Sequence, residues 1–269
     1  MKKKAPYENK LQKQVLIILV TLGLSFFSCS TDGDSTQNFQ VATTFKFTHN
    51  WDGAPVTNSD FNTIQYTNEN GEMLSIERLR YVISDITFTG AQGEILTFEA
   101  HNLVDVTNDN GLLYTLSTLV PIGNYSNVSF TFGLNNTYNT GNYPDLNAAN
   151  FNVPDNLGGG YHYMQFDGKY LDTNSDEQGF NYHAIRAVDN PGPNPIFPQD
   201  TFFTVNLGPV AIANVTEIEV EADLAEWFKN PNTWDLNIYN QMLMPNSDAQ
   251  IMMFENGQNV FSLGDVTQQ

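Results

Sequence analysis

The chain has 269 residues, with 11 Lys and Arg against 30 Asp and Glu, four His and a single Cys, and carries a formal net charge of −19 at pH 7. A field of that sign repels phosphate backbones and anionic lipid surfaces, which argues against a nucleic-acid partner. One cysteine rules out an intrachain disulfide.

At the N-terminus, Lys2, Lys3, Lys4, Lys10 and Lys13 precede an apolar run from Val15 to Phe27. The run is about 13 residues long and a spanning helix needs about 20, so an export signal is expected rather than a membrane span. It ends in Phe26-Phe27-Ser28-Cys29, which resembles a relaxed bacterial lipobox with the sole cysteine at the lipidation position. The expected organisation is a lipoprotein signal peptide over 1–28, a flexible tether over 29–38 and one domain over 39–269. The tether lacks any large apolar side chain after Cys29 and cannot offset the entropy of ordering. Its Ser/Asp-rich start resembles the surface-export signals of Bacteroidetes lipoproteins. These features imply attachment to a membrane through the lipid and a place in the cell envelope, as an outer-membrane lipoprotein facing the periplasm or the surface. Loss of residues 1–28 would remove five Lys and one Glu, leaving 6 basic against 29 acidic residues and a net charge of −23. Such a surface favours cations and solubility alike.

From residue 39 onward, apolar and polar residues alternate with period 2, the signature of strands wet on one face and packed on the other. Such runs occur at Val41 to Phe47, Leu79 to Phe88, Ile95 to Val106, Val128 to Phe132, Tyr161 to Tyr170, Phe180 to Ala187 and Phe202 to Leu207. The clearest is Glu217-Ile218-Glu219-Val220-Glu221-Ala222-Asp223-Leu224. Asn70-Gly71, Gln92-Gly93, Asn110-Gly111 and Asn256-Gly257 give hairpin-type punctuation. The Pro-rich segment from Asn190 to Pro195 reads as a loop. Ser247-Asp248-Ala249-Gln250 has the form of a capping box leading Ile251 to Phe254 toward Gly257, and a helical turn is expected around Leu224 to Phe228. The expected fold is an all-β, antiparallel, sandwich-like single domain with one or two short helices.

The chemistry on offer is imidazole. His49, His101, His162 and His183 are the four histidines, and no His-x-His, His-x-x-x-His or Cys-x-x-Cys spacing links them. Period 2 puts Phe45, Phe47, His49 and Trp51 on one strand face, and His162, Met164 and Phe166 on another. Imidazole suits copper, zinc or nickel, and an added thioether favours copper, Cu(I) above all. His183 can come from a neighbouring strand if the Tyr161 and Phe180 runs form a hairpin. Against this stands the plainer role of a hydrogen-bonded histidine in an aromatic core. His101, beside Glu99 and Asn102, reads as a bystander.

Several segments together resemble the MbnP-like family of copper-binding proteins. They are Phe47-Thr48-His49-Asn50-Trp51-Asp52-Gly53, Tyr66 to Glu72, Leu79-Arg80-Tyr81-Val82-Ile83-Ser84-Asp85-Ile86, Phe132-Gly133-Leu134, Gly159 to Gly168 and Phe180-Asn181-Tyr182-His183. The resemblance implies an exported β domain with copper as its cofactor, and His49, His162 and His183 as ligands, with Met164 a weak fourth. In the characterised branch an oxidised tryptophan joins the histidines, and a partner haem protein performs the oxidation. This chain departs there: the tryptophan that some relatives carry before the Gly-Tyr element is absent, and position 160 is Gly. Trp51, two residues after His49, is left as a packing or oxidisable aromatic.

Asp172 to Glu177 imitates half of a calcium loop but has Glu177 where glycine is required, so a polar hairpin turn is expected instead. No nucleophile elbow or phosphate loop is present, and the carboxylates show no distinguishing pair, so the chain reads as a non-enzyme. Two readings remain: a lipid-anchored protein that holds or delivers copper without turnover, and a metal-independent surface module for glycan or protein, using Tyr138, Tyr143, Tyr161 and Tyr163.

Overall fold

Residues 39–269 are described by the structure, a computed structural model. The expected signal peptide, the expected lipidation at Cys29 and the expected tether lie outside the described residues. Nine longer strands carry the fold: β1 (Thr43–Trp51), β2 (Arg78–Gly90), β3 (Ile95–Asp105), β4 (Gly123–Phe132), β5 (Met164–Leu171), β6 (Glu177–Ala184), β7 (Phe203–Ile212), β8 (Thr216–Asp223) and β9 (Phe261–Gln268). The helices are short, α1 (Pro144–Ala148) and α2 (Ser247–Gly257). The domain is mainly β and sandwich-like, as the alternation predicts.

The larger sheet is built around the 13-residue β2. β3 lies along one edge of β2; β4 pairs with the other edge toward its C-terminal end and β5 toward its N-terminal end. β7 extends the sheet beyond β4, and β6 extends it beyond β5. The smaller sheet runs β9-β8-β1, with β8 and β1 parallel. Phe45 and Phe47 of β1 meet Phe88, Tyr81 and Phe130 of the larger sheet edge-on, at ring separations of 6.2–6.3 Å. These rings form the centre of the core. On β8, Ile218, Val220 and Ala222 are buried while the glutamates between them face outward. Glu219 meets Lys46 at 3.2 Å, a half-exposed pair of small energetic weight.

Local departures from the expected pattern have local causes. The Tyr161 run becomes a strand only at Met164, because Gly158, Gly159 and Gly160 all take positive φ and turn the chain just before it. α2 is capped by Asn246, whose side chain accepts from Ala249 N at 3.1 Å, one residue before the expected Ser247. Asn256-Gly257 closes the last turn of that helix instead of a hairpin. The turn at Leu224–Phe228 is present as a short 3-10 helix. β9 has too few apolar residues to signal a strand and completes the edge of the smaller sheet through its backbone pairing with β8.

Candidate metal centre

β5 and β6 form the hairpin that the sequence suggests, with Met164 opposite Ala184 and Gln165 opposite His183. The turn between them contains Asp172, whose Oδ1 accepts from the backbone N–H groups of Asn174 and Asp176 at 2.8 and 3.0 Å. Gln165 also pairs with Arg80, and Met164 with Tyr81. Side chains alternate across a sheet, so Gln165, Arg80 and His183 share the outer face, while Tyr81 and Met164 share the inner one.

On the outer face, the His162 and His183 rings meet almost perpendicularly, at 86°, with centroids 5.2 Å apart. His162 is tied to one carbonyl twice: its backbone N–H donates to Phe151 O at 2.7 Å, and its Nδ1 lies 2.8 Å from the same oxygen. A carbonyl only accepts, so Nδ1 carries the proton and Nε2 keeps a lone pair. That Nε2 lies 3.2 Å from Met244 Sδ. Burial pushes the His162 imidazole down to about 4 against the pull of the Phe151 carbonyl, with His183, Arg78 and Arg80 adding to the depression. It is a neutral base at physiological pH, the form that binds metals.

His183 is held from its other side. Its Nε2 lies 2.7 Å from Asp167 Oδ1, which also accepts from Asn181 Nδ2 at 2.6 Å, while Arg78 Nε donates to Oδ2. Burial raises the Asp167 carboxyl, but its bonds to His183, Asn181 and Arg78 outweigh that and bring it down to about 2. Met244 and Phe197 pack against a buried cluster of Val153, Leu157, Ile185 and Val188, an apolar wall beside His162. Gln250, buried on α2, joins the parts: its Nε2 donates to His183 O at 2.9 Å and Leu243 O at 3.1 Å, and its Oε1 accepts from Ile185 N at 2.7 Å.

A metal about 2.0 Å from a ring nitrogen stands about 3.1 Å from that ring's centroid, so two rings 5.2 Å apart can share one ion. Among the described residues no three His, Cys, Asp or Glu side chains are arranged to hold a metal ion. What gathers at His162 is a second imidazole and a thioether, a donor set suited to Cu(I).

Not all the residues singled out in the sequence come together. His49 lies in the core between the sheets, with Nε2 3.1 Å from the Tyr81 hydroxyl, and burial pushes its imidazole down to about 4. The larger sheet therefore stands between it and His183. Met164 points into the core beside Tyr81 rather than alongside His162, because residues 161–163 precede the strand and do not share its alternation. Trp51 stacks on Tyr66 at 4.9 Å and donates from Nε1 to Thr67 O at 3.2 Å. His101 contacts Asp145 Oδ2 at 2.8 Å and the Tyr143 ring edge-on. Tyr161 and Tyr163 are buried; Tyr138 and Tyr143 line a cavity of about 210 Å³ with His101.

Gly160 occupies a closed position. Its φ is +79°, and a Cβ there would lie 2.7 Å from Asn139 O and 2.7 Å from Asn139 Oδ1. Sequence reasoning missed Met244. Gln241-Met242-Leu243-Met244-Pro245 carries no periodicity; bonds of β6 with Asn240 and Gln241 and of Gln250 with Leu243 O hold the loop that brings Met244 to His162.

A family model described as MbnP matches residues 40–252. Among solved structures, MbnP from Methylosinus trichosporium superposes with a TM-score of 0.53 at 12% identity, covering 84% of this chain and 99% of its own. At that identity the likeness speaks for the fold. No curated protein matches the chain.

Proposed function

The chain belongs to the MbnP family, and from that membership together with the His162, His183 and Met244 cluster we propose that it is an exported, lipid-anchored protein that holds or delivers copper without turning over a substrate. The observation that carries the reading is the outer-face group itself: two perpendicular imidazoles 5.2 Å apart, with a thioether 3.2 Å from His162 Nε2. His162 Nε2 and Met244 Sδ would hold the ion from one side and the second imidazole from the other. Neutral donors with Arg78 and Arg80 nearby favour a singly charged ion over a doubly charged one. Cu(I) is the species proposed.

The family resemblance nominated three histidines; the geometry supports two of them, with Met244 as the third donor. Position 160 is glycine, and Trp51 stacks on Tyr66 with its Nε1 on Thr67 O, so the proposal relies on no modified tryptophan and on no haem partner. Anchoring rests on the lipobox-like Ser28-Cys29 and would put the domain at the cell envelope.

Titrating Cu(I), in competition with a chromophoric chelator, into the soluble Cys29→Ser chain tests this. One equivalent should bind, and His162→Ala and His183→Ala should each abolish the uptake. Stoichiometric binding that survives both substitutions would place the copper elsewhere.

A further inference from the structure

Asp167 stands in the middle of β5 with its whole environment fixed by strand register. It is opposite Asn181 on β6 and opposite Arg78 on β2, and His183 lies two residues along β6 on the same face. Oδ1 faces His183 Nε2 and Asn181, while Oδ2 takes Arg78, so the two oxygens have separate tasks. An ionised carboxylate only accepts hydrogen bonds. The ring nitrogen facing it must carry the proton, and the free lone pair of His183 is then on Nδ1.

The two imidazoles are thus oriented by different groups and through different nitrogens. His162 is held at Nδ1 by a neutral carbonyl and offers Nε2; His183 is held at Nε2 by a carboxylate and offers Nδ1. Histidine ligands backed by carboxylates are more strongly donating and more rigidly placed.

Resting on the copper reading above, we propose that Asp167 is the positioning residue of the site: it locks His183 in the tautomer protonated at Nε2 and so fixes Nδ1 as the donor atom. The carboxylate would also set one negative charge behind the His183 ring. Arg78 does not compete for that task, because it engages the other oxygen.

The test uses the soluble Cys29→Ser chain labelled with 15N in histidine. Two-bond proton–nitrogen correlations on the metal-free protein read the His183 tautomer, and Cu(I) competition titrations read affinity. Asp167→Ala should release the tautomer into a mixture and weaken Cu(I) by roughly 10- to 100-fold. Asp167→Asn, which can still accept at Oδ1 but lacks the charge, should restore part of both and also serves if the alanine chain folds poorly. Arg78→Gln, which leaves Asp167 Oδ1 on His183 Nε2, should keep the His183 tautomer fixed. A fixed Nε2–H tautomer with wild-type affinity in Asp167→Ala would overturn the inference, and so would a tautomer released in Arg78→Gln as fully as in Asp167→Ala. A wild-type chain that takes up no copper would overturn the copper reading instead, and the tautomer measurement would still decide whether Asp167 controls His183.

Discussion

His49 Nε2 lies 3.1 Å from the Tyr81 hydroxyl, in the core between the two sheets, and this contact joins β1 to β2 rather than serving the outer-face site. Burial lowers the His49 imidazole from 6.5 to about 4. Between those two values the unfolded chain binds a proton that the folded chain excludes. Stability that is fully present above about pH 6.5 is therefore lost as pH falls toward 4, on the order of 3 kcal/mol for this one group. Urea unfolding of the metal-free domain at several pH values between 4 and 7 should show that slope. His49→Gln should flatten it by His49's share, leaving the slope that His162 contributes. An unchanged profile in the variant would show that His49 is not neutral in the fold.

Met244→Leu keeps the bulk against the Val153, Leu157, Ile185 and Val188 cluster while removing the sulfur. Cu(I) affinity should fall about tenfold, a loss of about 1.4 kcal/mol, while Cu(II) affinity changes less because the thioether is a soft donor. His49→Ala should leave copper binding intact and lower only stability. A Met244→Leu chain that binds Cu(I) as the parent does would remove the thioether from the site.

How far the sequence could lead is clearest at the histidines. Alternation in Glu217 to Leu224 shows a half-wet strand, and the Tyr161 and Phe180 runs with a polar connection show a hairpin. Both are present, and the hairpin brings His162 near His183. Period 2 failed at His162 because three consecutive positive-φ glycines precede it, and a periodicity rule presumes extended backbone. His49 follows an apolar stripe in the sequence whether it ligates a metal or fills a core. Only the pairing of Tyr81 with Met164, which sets the inner face, separates the two roles. Met244 lies in a loop held by bonds to Asn181, Gly179 and Gln250, and no pattern encodes those contacts.

Gly160→Ala should destabilise the domain by about 1–3 kcal/mol, since L side chains avoid this backbone conformation and the added methyl would meet Asn139 O at 2.7 Å. Asn139 Oδ1 accepts from Tyr161 N, so the displacement would reach the residue next to His162. Thermal unfolding and Cu(I) affinity, measured on the same variant, should both decline. A variant as stable as the parent would mean that the 158–160 turn adapts freely.

Asn256 is fully buried, and its Nδ2 donates to Trp227 O and Asn232 O at 2.8 and 2.9 Å while its Oδ1 accepts from Asn232 N at 2.9 Å. Replacing it with Ala leaves the Asn232 groups without this partner, and a loss of about 2–4 kcal/mol is expected in chemical denaturation. A loss below 1 kcal/mol would indicate that the Trp227–Asn232 segment finds other partners.

Cys29→Ser should move the protein from the membrane fraction to the soluble one and abolish incorporation of labelled palmitate in a bacterial host. Retention in the membrane fraction with unaltered mobility would refute lipid attachment at Cys29.

Gln250 on α2 bonds the His183 carbonyl and the Leu243 carbonyl through a single amide nitrogen, so the helix is fastened at once to β6 and to the loop that carries Met244. On the copper proposal, the thioether and the second imidazole would share that fastening, while His162 is tied separately to Phe151. Loading and release would then be coupled to the seating of Ser247–Gly257, and a partner that displaced this helix would not have to reach the ion to take it.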